Sequence, residues 1–118
     1  ARRFRPRVVS AGLLELIEPV LAREGVEVEL YANRLEARSD GWRALFRDET
    51  PCPVCGEPCK RAALPPGPVV YAGDGYSDRC AALAAGRVFA VDGLAAYLDG
   101  EGVPYEPLTD FVALARRL

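Results

Sequence analysis

VVYAGDGYSDRC, residues Val69 to Cys80, is an apolar run that ends in two carboxylates set among glycines. Val69 to Ala72 shows no polar alternation, the pattern of a strand buried on both faces in a parallel sheet covered by helices. Gly73-Asp74-Gly75 then lets the chain turn sharply and lets a ligand approach the backbone closely. Ser77 to Ala85 reads as a helix stopped by Gly86. In such sheets ligands bind beyond the carboxyl ends of the strands. Asp74 at the strand tip and Asp78 in the first helical turn are therefore expected to face one crevice. Two carboxylates that close repel each other unless a cation sits beside them, and oxygen ligands of this kind suit Mg²⁺.

The same alternation of strand and helix extends outward. Downstream, Val88 to Val91 is a second apolar strand, Leu94 to Leu98 is helical, Val103 to Leu108 is extended, and Thr109 is placed to cap a last helix through Leu118. Upstream, Arg7 to Ser10 reads as a buried strand ending in the turn Ala11-Gly12. A helix follows with Leu13, Leu14, Leu16, Ile17, Val20 and Leu21 at helical spacing, kinked or divided by Pro19 and stopped by Gly25. Val26, Val28 and Leu30 alternate with glutamates as a strand with one wet face. Tyr31 to Asp48 reads as extended or hairpin structure turning at Ser39-Asp40-Gly41, with Trp42, Ala44 and Phe46 on one face. These aromatics, with Tyr31 and Phe89, are expected to pack in the core or the hairpin. TPCPVCGEPCK, with three prolines and a glycine, is a loop. The expected fold is α/β, a Rossmann-like three-layer parallel sheet, in one domain spanning residues 1–118.

Composition excludes several functions. The net charge of -2 gives no basic footprint for nucleic acid, and the arginines are scattered. No apolar run approaches the ~20 residues that cross a bilayer, so membrane is not an expected partner and a cytoplasmic location is. Of the fifteen basic residues only Lys60 is lysine. Where arginine serves for charge generally, one retained ammonium points to a need for a compact point charge. Lys60 lies upstream of the acidic strand on a segment able to fold back over the crevice. Ser10, with the backbone N–H groups that follow it, is a natural site for a phosphate oxygen.

Cys52, Cys55 and Cys59 fall as CxxCxxxC, and Cys80 completes the four ligands that tetrahedral zinc needs in a chain without histidine. Against this, Cys80 sits two residues after Asp78 on one helix and is expected to face away from the cleft that Lys60 approaches. Reduced loop thiols are thus the expected state, with zinc or a CxxC disulfide as alternatives.

VVSAG, then a lysine, then VVYAGDGYSD resembles the second, third and fourth motifs of the haloacid-dehalogenase-like phosphatases, in the phosphoserine-phosphatase-like branch. CPVCGEPCK before the acidic strand and VFAVDGLAAYLDGEGVPYEPLTDF after it look most like the methionine-salvage phosphatases that act on a 2-hydroxy-3-keto-5-methylthiopentenyl phosphate. The resemblance implies an Mg²⁺-dependent phosphomonoester hydrolase acting on a small phosphorylated metabolite. It implies that Ser10, Ala11 and Gly12 bind phosphoryl oxygens and that Lys60 neutralises the phosphate and the attacking carboxylate. It also implies that Asp74 ligates Mg²⁺ and that Asp78 ligates the ion or orients its shell.

The family's first motif, Asp-x-Asp-x-Thr/Val, which carries the nucleophile and the general acid/base, is missing from these residues. In the family's sheet that strand lies between the one ending at Ser10 and the one ending at Asp74, so the expected sheet lacks its first central strand. The helical cap that follows it is missing too. Three accounts fit: the C-terminal part of a longer phosphatase core, a degenerate member kept as a phosphate-binding or partner-binding module, or one part of a split protein. A gap in the sheet leaves backbone groups unpaired, which favours self-association or a partner strand and predicts no turnover by the 118 residues alone.

Overall fold

A computed structural model describes residues 4–45, 51–57 and 59–118. The chain divides into two compact units, residues 1–49 and 50–118, and its strands form two three-stranded sheets, one in each. The fold is therefore mixed α/β, with its strands shared between two sheets instead of the single sheet that the strand pattern predicts.

In the first unit β1 (Arg7–Leu13) pairs parallel with β2 (Glu29–Arg38), which pairs antiparallel with β3 (Gly41–Leu45). Strand β1 runs straight through Ser10, Ala11 and Gly12 where a turn is expected, and its register with β2 shifts between Val9 and Leu13. Helix α1 (Leu14–Arg23) passes through Pro19 without dividing. It ends at Glu24 and Gly25, where Gly25 adopts φ +68° and Val26 N–H reaches the Leu21 carbonyl at 2.9 Å. Only glycine takes that conformation without strain. The wet strand foreseen at residues 26–30 begins at Glu29 and merges with the first arm of the hairpin. Trp42 is 71% exposed and so packs in no core, while Phe46 and Asp48 lie outside the described residues. Among the described residues Ala32 is the one buried apolar side chain of this unit.

The second unit carries the larger core. Strands β4 (Val70–Gly73), β5 (Arg87–Ala90) and β6 (Glu106–Pro107) pair parallel in that order. Parallel neighbours need a crossover, and helices α2 (Arg79–Ala84) and α3 (Asp92–Glu101) supply the two. In the central strand β5, Val88, Phe89 and Ala90 are all buried, as an all-apolar strand should be. Val88 and Ala90 pack with Tyr71, Ala81, Ala82, Leu94 and Leu98. Helix α3 ends in a left-handed Gly102, with Val103 N–H on the Leu98 carbonyl at 3.0 Å. Helix α4 (Phe111–Arg117) is capped by Asp110, whose carboxylate accepts the Ala113 N–H at 2.7 Å, and not by Thr109. The one-residue difference is consistent with aspartate's stronger capping. Arg117, in the last turn of α4, shares the Glu106 carboxylate with Arg87. Strands β1 and β4 each lie at the edge of their own sheet. Among the described residues no helix is long and apolar enough to cross a membrane.

Candidate functional site

The loop at the carboxyl end of β4 is organised by one buried side chain. Asp78 is 3% exposed and accepts hydrogen bonds on both oxygens. Oδ1 takes Lys60 Nζ at 2.8 Å and the Tyr71 hydroxyl at 2.5 Å. Oδ2 takes the backbone N–H groups of Asp74 and Gly75 at 3.2 and 3.0 Å. A buried charge survives only when paired and fully hydrogen-bonded, and four donors meet that condition. Burial pushes the Asp78 carboxyl up, but the bonds from Lys60, Tyr71 and Gly75 outweigh it and hold it below its ordinary value. Burial and the same hydrogen bond push the Tyr71 phenol above its usual range.

Gly73 makes this arrangement possible. A Cβ built there would stand 2.6 Å from Asp78 Cγ and 2.7 Å from Oδ2, so the carboxylate fills the space a side chain would need. The next residue, Asp74, is exposed. Its main chain is held from two directions: the N–H by Asp78 and the carbonyl by Leu94 N–H at 3.2 Å from the start of α3. Beside it, Asp92 opens α3 with φ +52°, a conformation uncommon in residues other than glycine. Tyr76, at the mouth of the loop, is 64% exposed; the Arg79 guanidinium lies 3.8 Å over its ring, and Tyr97 meets it edge-on at 6.0 Å.

The sequence-predicted residues are therefore partly gathered. Lys60, Asp74 and Asp78 share the second unit, and Lys60 touches Asp78 directly. Ser10, Ala11 and Gly12 belong to the first unit, where the Ser10 hydroxyl already accepts the Gly12 N–H at 2.9 Å. Tyr71 was missed: inside an apolar strand it reads as core, and only a phenol in a run of aliphatics hinted at a buried acceptor.

A second cluster brings Cys80 to the loop thiols, from which its place after Asp78 was expected to keep it apart. The Sγ atoms of Cys52, Cys55, Cys59 and Cys80 all lie within 4.8 Å of one another, and none is in a disulfide. These four residues could hold a metal ion. Cys80 does face away from Asp78, as expected, but that does not separate it from the other three thiols. Two steps along a helix rotate a side chain by about 200°, so Asp78 and Cys80 point in nearly opposite directions. Cys59 is extended, with φ -146° and ψ 176°, and so Cys59 and Lys60 also project to opposite sides. One strand of backbone thus meets the helix with both pairs at once, Lys60 on Asp78 and Cys59 on Cys80. The N–H groups of Cys55 and Val54 hold the Cys52 thiol down at about 6. Burial pushes Cys80 up to about 12 and also raises Cys59.

No family model, curated protein or solved structure matches this chain.

Proposed function

We propose that the second unit is the metal-and-phosphate half of an Mg²⁺-dependent phosphomonoester hydrolase of the haloacid-dehalogenase-like, phosphoserine-phosphatase-like type, acting on a small phosphorylated metabolite. The observation that carries this reading is the Lys60–Asp78 pair at the carboxyl end of a parallel strand, beside the exposed Asp74. An ammonium has three protons, and Asp78 takes one of them. Those left can neutralise a phosphoryl group, and phosphoryl transfer depends mainly on positioning and charge stabilisation.

In this reading Mg²⁺ would be held at Asp74, whose exposed carboxylate stands on a backbone braced by Asp78 and Leu94. When bound, the ion would draw charge from the phosphoryl oxygens. Asp78 fits a different task, because both its oxygens are engaged: it orients Lys60. The thiolate set suits a softer ion than Mg²⁺, with zinc the natural occupant. The 118 residues hold no Asp-x-Asp tract, so the nucleophilic carboxylate of this reading belongs to a segment or partner chain outside them. The edge of β4, next to Asp74, offers backbone groups with which a further strand could pair.

The test is phosphate release from para-nitrophenyl phosphate by the protein expressed from its full open reading frame, together with Mg²⁺ binding to the 118-residue chain. Asp74→Asn is expected to abolish Mg²⁺ binding and to lower turnover on the order of 100-fold or more. Absence of turnover, with neither Mg²⁺ nor phosphate bound, would replace this reading by a non-catalytic partner-binding module. The convergence of four cysteines is the observation that favours that second reading.

A further inference from the structure

The loop bearing Cys52 and Cys55 lacks an ordinary means of support. Of residues 51–57 only Cys52 is buried, and Val54, the one branched aliphatic residue there, is 58% exposed. Apolar burial therefore does not hold this loop in place. The single buried side chain it contributes is a thiol, aimed at three other thiols. The backbone is nonetheless tightly organised. Gly56, at φ +77°, turns its N–H onto the Cys52 carbonyl at 2.8 Å, Cys52 N–H reaches the Glu57 carbonyl at 2.9 Å, and Val54 N–H points at Cys52 Sγ at 3.4 Å. An N–H directed at sulfur stabilises a thiolate more than a thiol.

From this geometry we infer that Cys52, Cys55, Cys59 and Cys80 bind one zinc ion as a closed tetrahedral site, and that this ion keeps Lys60 against Asp78. Four thiolates ~2.3 Å from a common zinc lie roughly 3.8 Å apart in a tetrahedron, so sulfurs already within 4.8 Å need only a small contraction. All four protein ligands are present, which leaves no open position for a substrate and makes the site structural. Each thiol that is protonated beforehand releases its proton on binding, and the completed site carries a net charge of about -2.

The consequence for Lys60 follows from chain continuity. Cys59 and Lys60 are consecutive, and Cys80, in α2, is two residues beyond Asp78, which immediately precedes that helix. An ion joining Cys59 to Cys80 therefore fixes the separation across which Lys60 Nζ meets Asp78 Oδ1 at 2.8 Å. Helix α2 has only six residues, too few to hold that geometry through its own hydrogen bonds. This inference does not depend on the phosphatase reading: zinc binding can hold while phosphate and Mg²⁺ binding fail, and the reverse.

Two measurements test it on the 118-residue chain. Metal analysis of protein purified without chelator should find about one zinc per chain, and cobalt(II) should give the intense visible bands of a tetrahedral thiolate complex. Cys80→Ser and Cys55→Ser should each weaken zinc binding on the order of 100-fold or more. Absence of zinc with no cobalt–thiolate spectrum would overturn the site, as would iron in its place or disulfides among the four. The second measurement uses the fact that Lys60 is the only lysine. Mass-resolved amine labelling of Lys60 should be slow in the zinc-loaded protein and rise at least tenfold on chelation. Asp78→Asn should label quickly with zinc still bound. Hydrogen exchange at Phe89 and Leu94 separates local release from general unfolding. If chelation leaves Lys60 labelling unchanged, or exposes those amides as well, the specific tie between zinc and Lys60 is overturned.

Discussion

Gly73→Ala is the sharpest probe of the β4 loop. The new methyl group would stand 2.6 Å from Asp78 Cγ, 2.7 Å from Oδ2 and 3.0 Å from Cβ, and real Cβ atoms do not approach neighbours below about 3 Å. Asp78 cannot swing aside cheaply, because Lys60, Tyr71 and two backbone N–H groups hold its carboxylate. Overpacking a tight site costs about 1–3 kcal/mol. Displacing a charged acceptor from its donors costs roughly a further 1.5–3 kcal/mol. A total of about 2.5–6 kcal/mol compares with the roughly 3–10 kcal/mol expected for a whole unit of this length. With urea m-values of about 1–3 kcal/mol/M, the midpoint followed by circular dichroism should fall by roughly 2 M. Gly100→Ala is the control. Its Cβ meets nothing within 4 Å, it lies in α3, and alanine there should raise stability by about 0.5–1 kcal/mol. A Gly73→Ala protein within about 0.5 kcal/mol of the parent would refute the claim that the carboxylate occupies a rigid, filled niche.

Tyr71→Phe removes one donor from Asp78 and leaves the Lys60 bond in place, which should cost about 1–3 kcal/mol. In thermal unfolding the loss should appear as a Tm lower by at least ~4 °C, and an unchanged Tm would show that this hydrogen bond adds nothing. Glu106 predicts an acid-side dependence. Its hydrogen bonds with the Arg87 guanidinium, opposed by partial burial, hold its carboxyl at about 2 against an ordinary 4.5. Because the folded value is the lower one, this stabilisation is fully present above about 4.5 and is lost as pH falls toward about 2. Glu106→Gln should flatten the stability profile across that window, and an identical profile in the variant would assign the acid sensitivity to other groups.

Much of the second unit was legible because its signals are local. The continuous apolar runs of β4 and β5 could be buried only in a covered parallel pair, and a helix before Gly86 was legible, although α2 ends at Ala84 and its cap is an extended Ala85 and not the glycine. The first unit was harder to read. Val26 and Val28 alternate like a strand, yet the parallel pairing of β2 with β1 begins at Glu29, since a ladder starts where a neighbouring strand is available. Trp42 sits in a hairpin whose outer face stays in water, something that a residue's hydrophobicity cannot reveal. Pro19 lacks the N–H for one helical bond, but a single missing bond did not end α1.

By itself, the sequence settled which residue types stand at the end of the acidic strand, that only one ammonium is available, and that four thiols occur with no histidine. What each carboxylate and each sulfur touches was decided only in three dimensions. Asp74 and Asp78 look equivalent in the string, but the loop after Gly73 sends one into water and buries the other beneath four donors. Cys80 looks isolated by twenty residues, but helical rotation and an extended Cys59 bring the sulfurs together while Lys60 finds Asp78. Side-chain direction depends on backbone angles summed over several residues and on which segments pack against each other, and neither can be read from spacing alone.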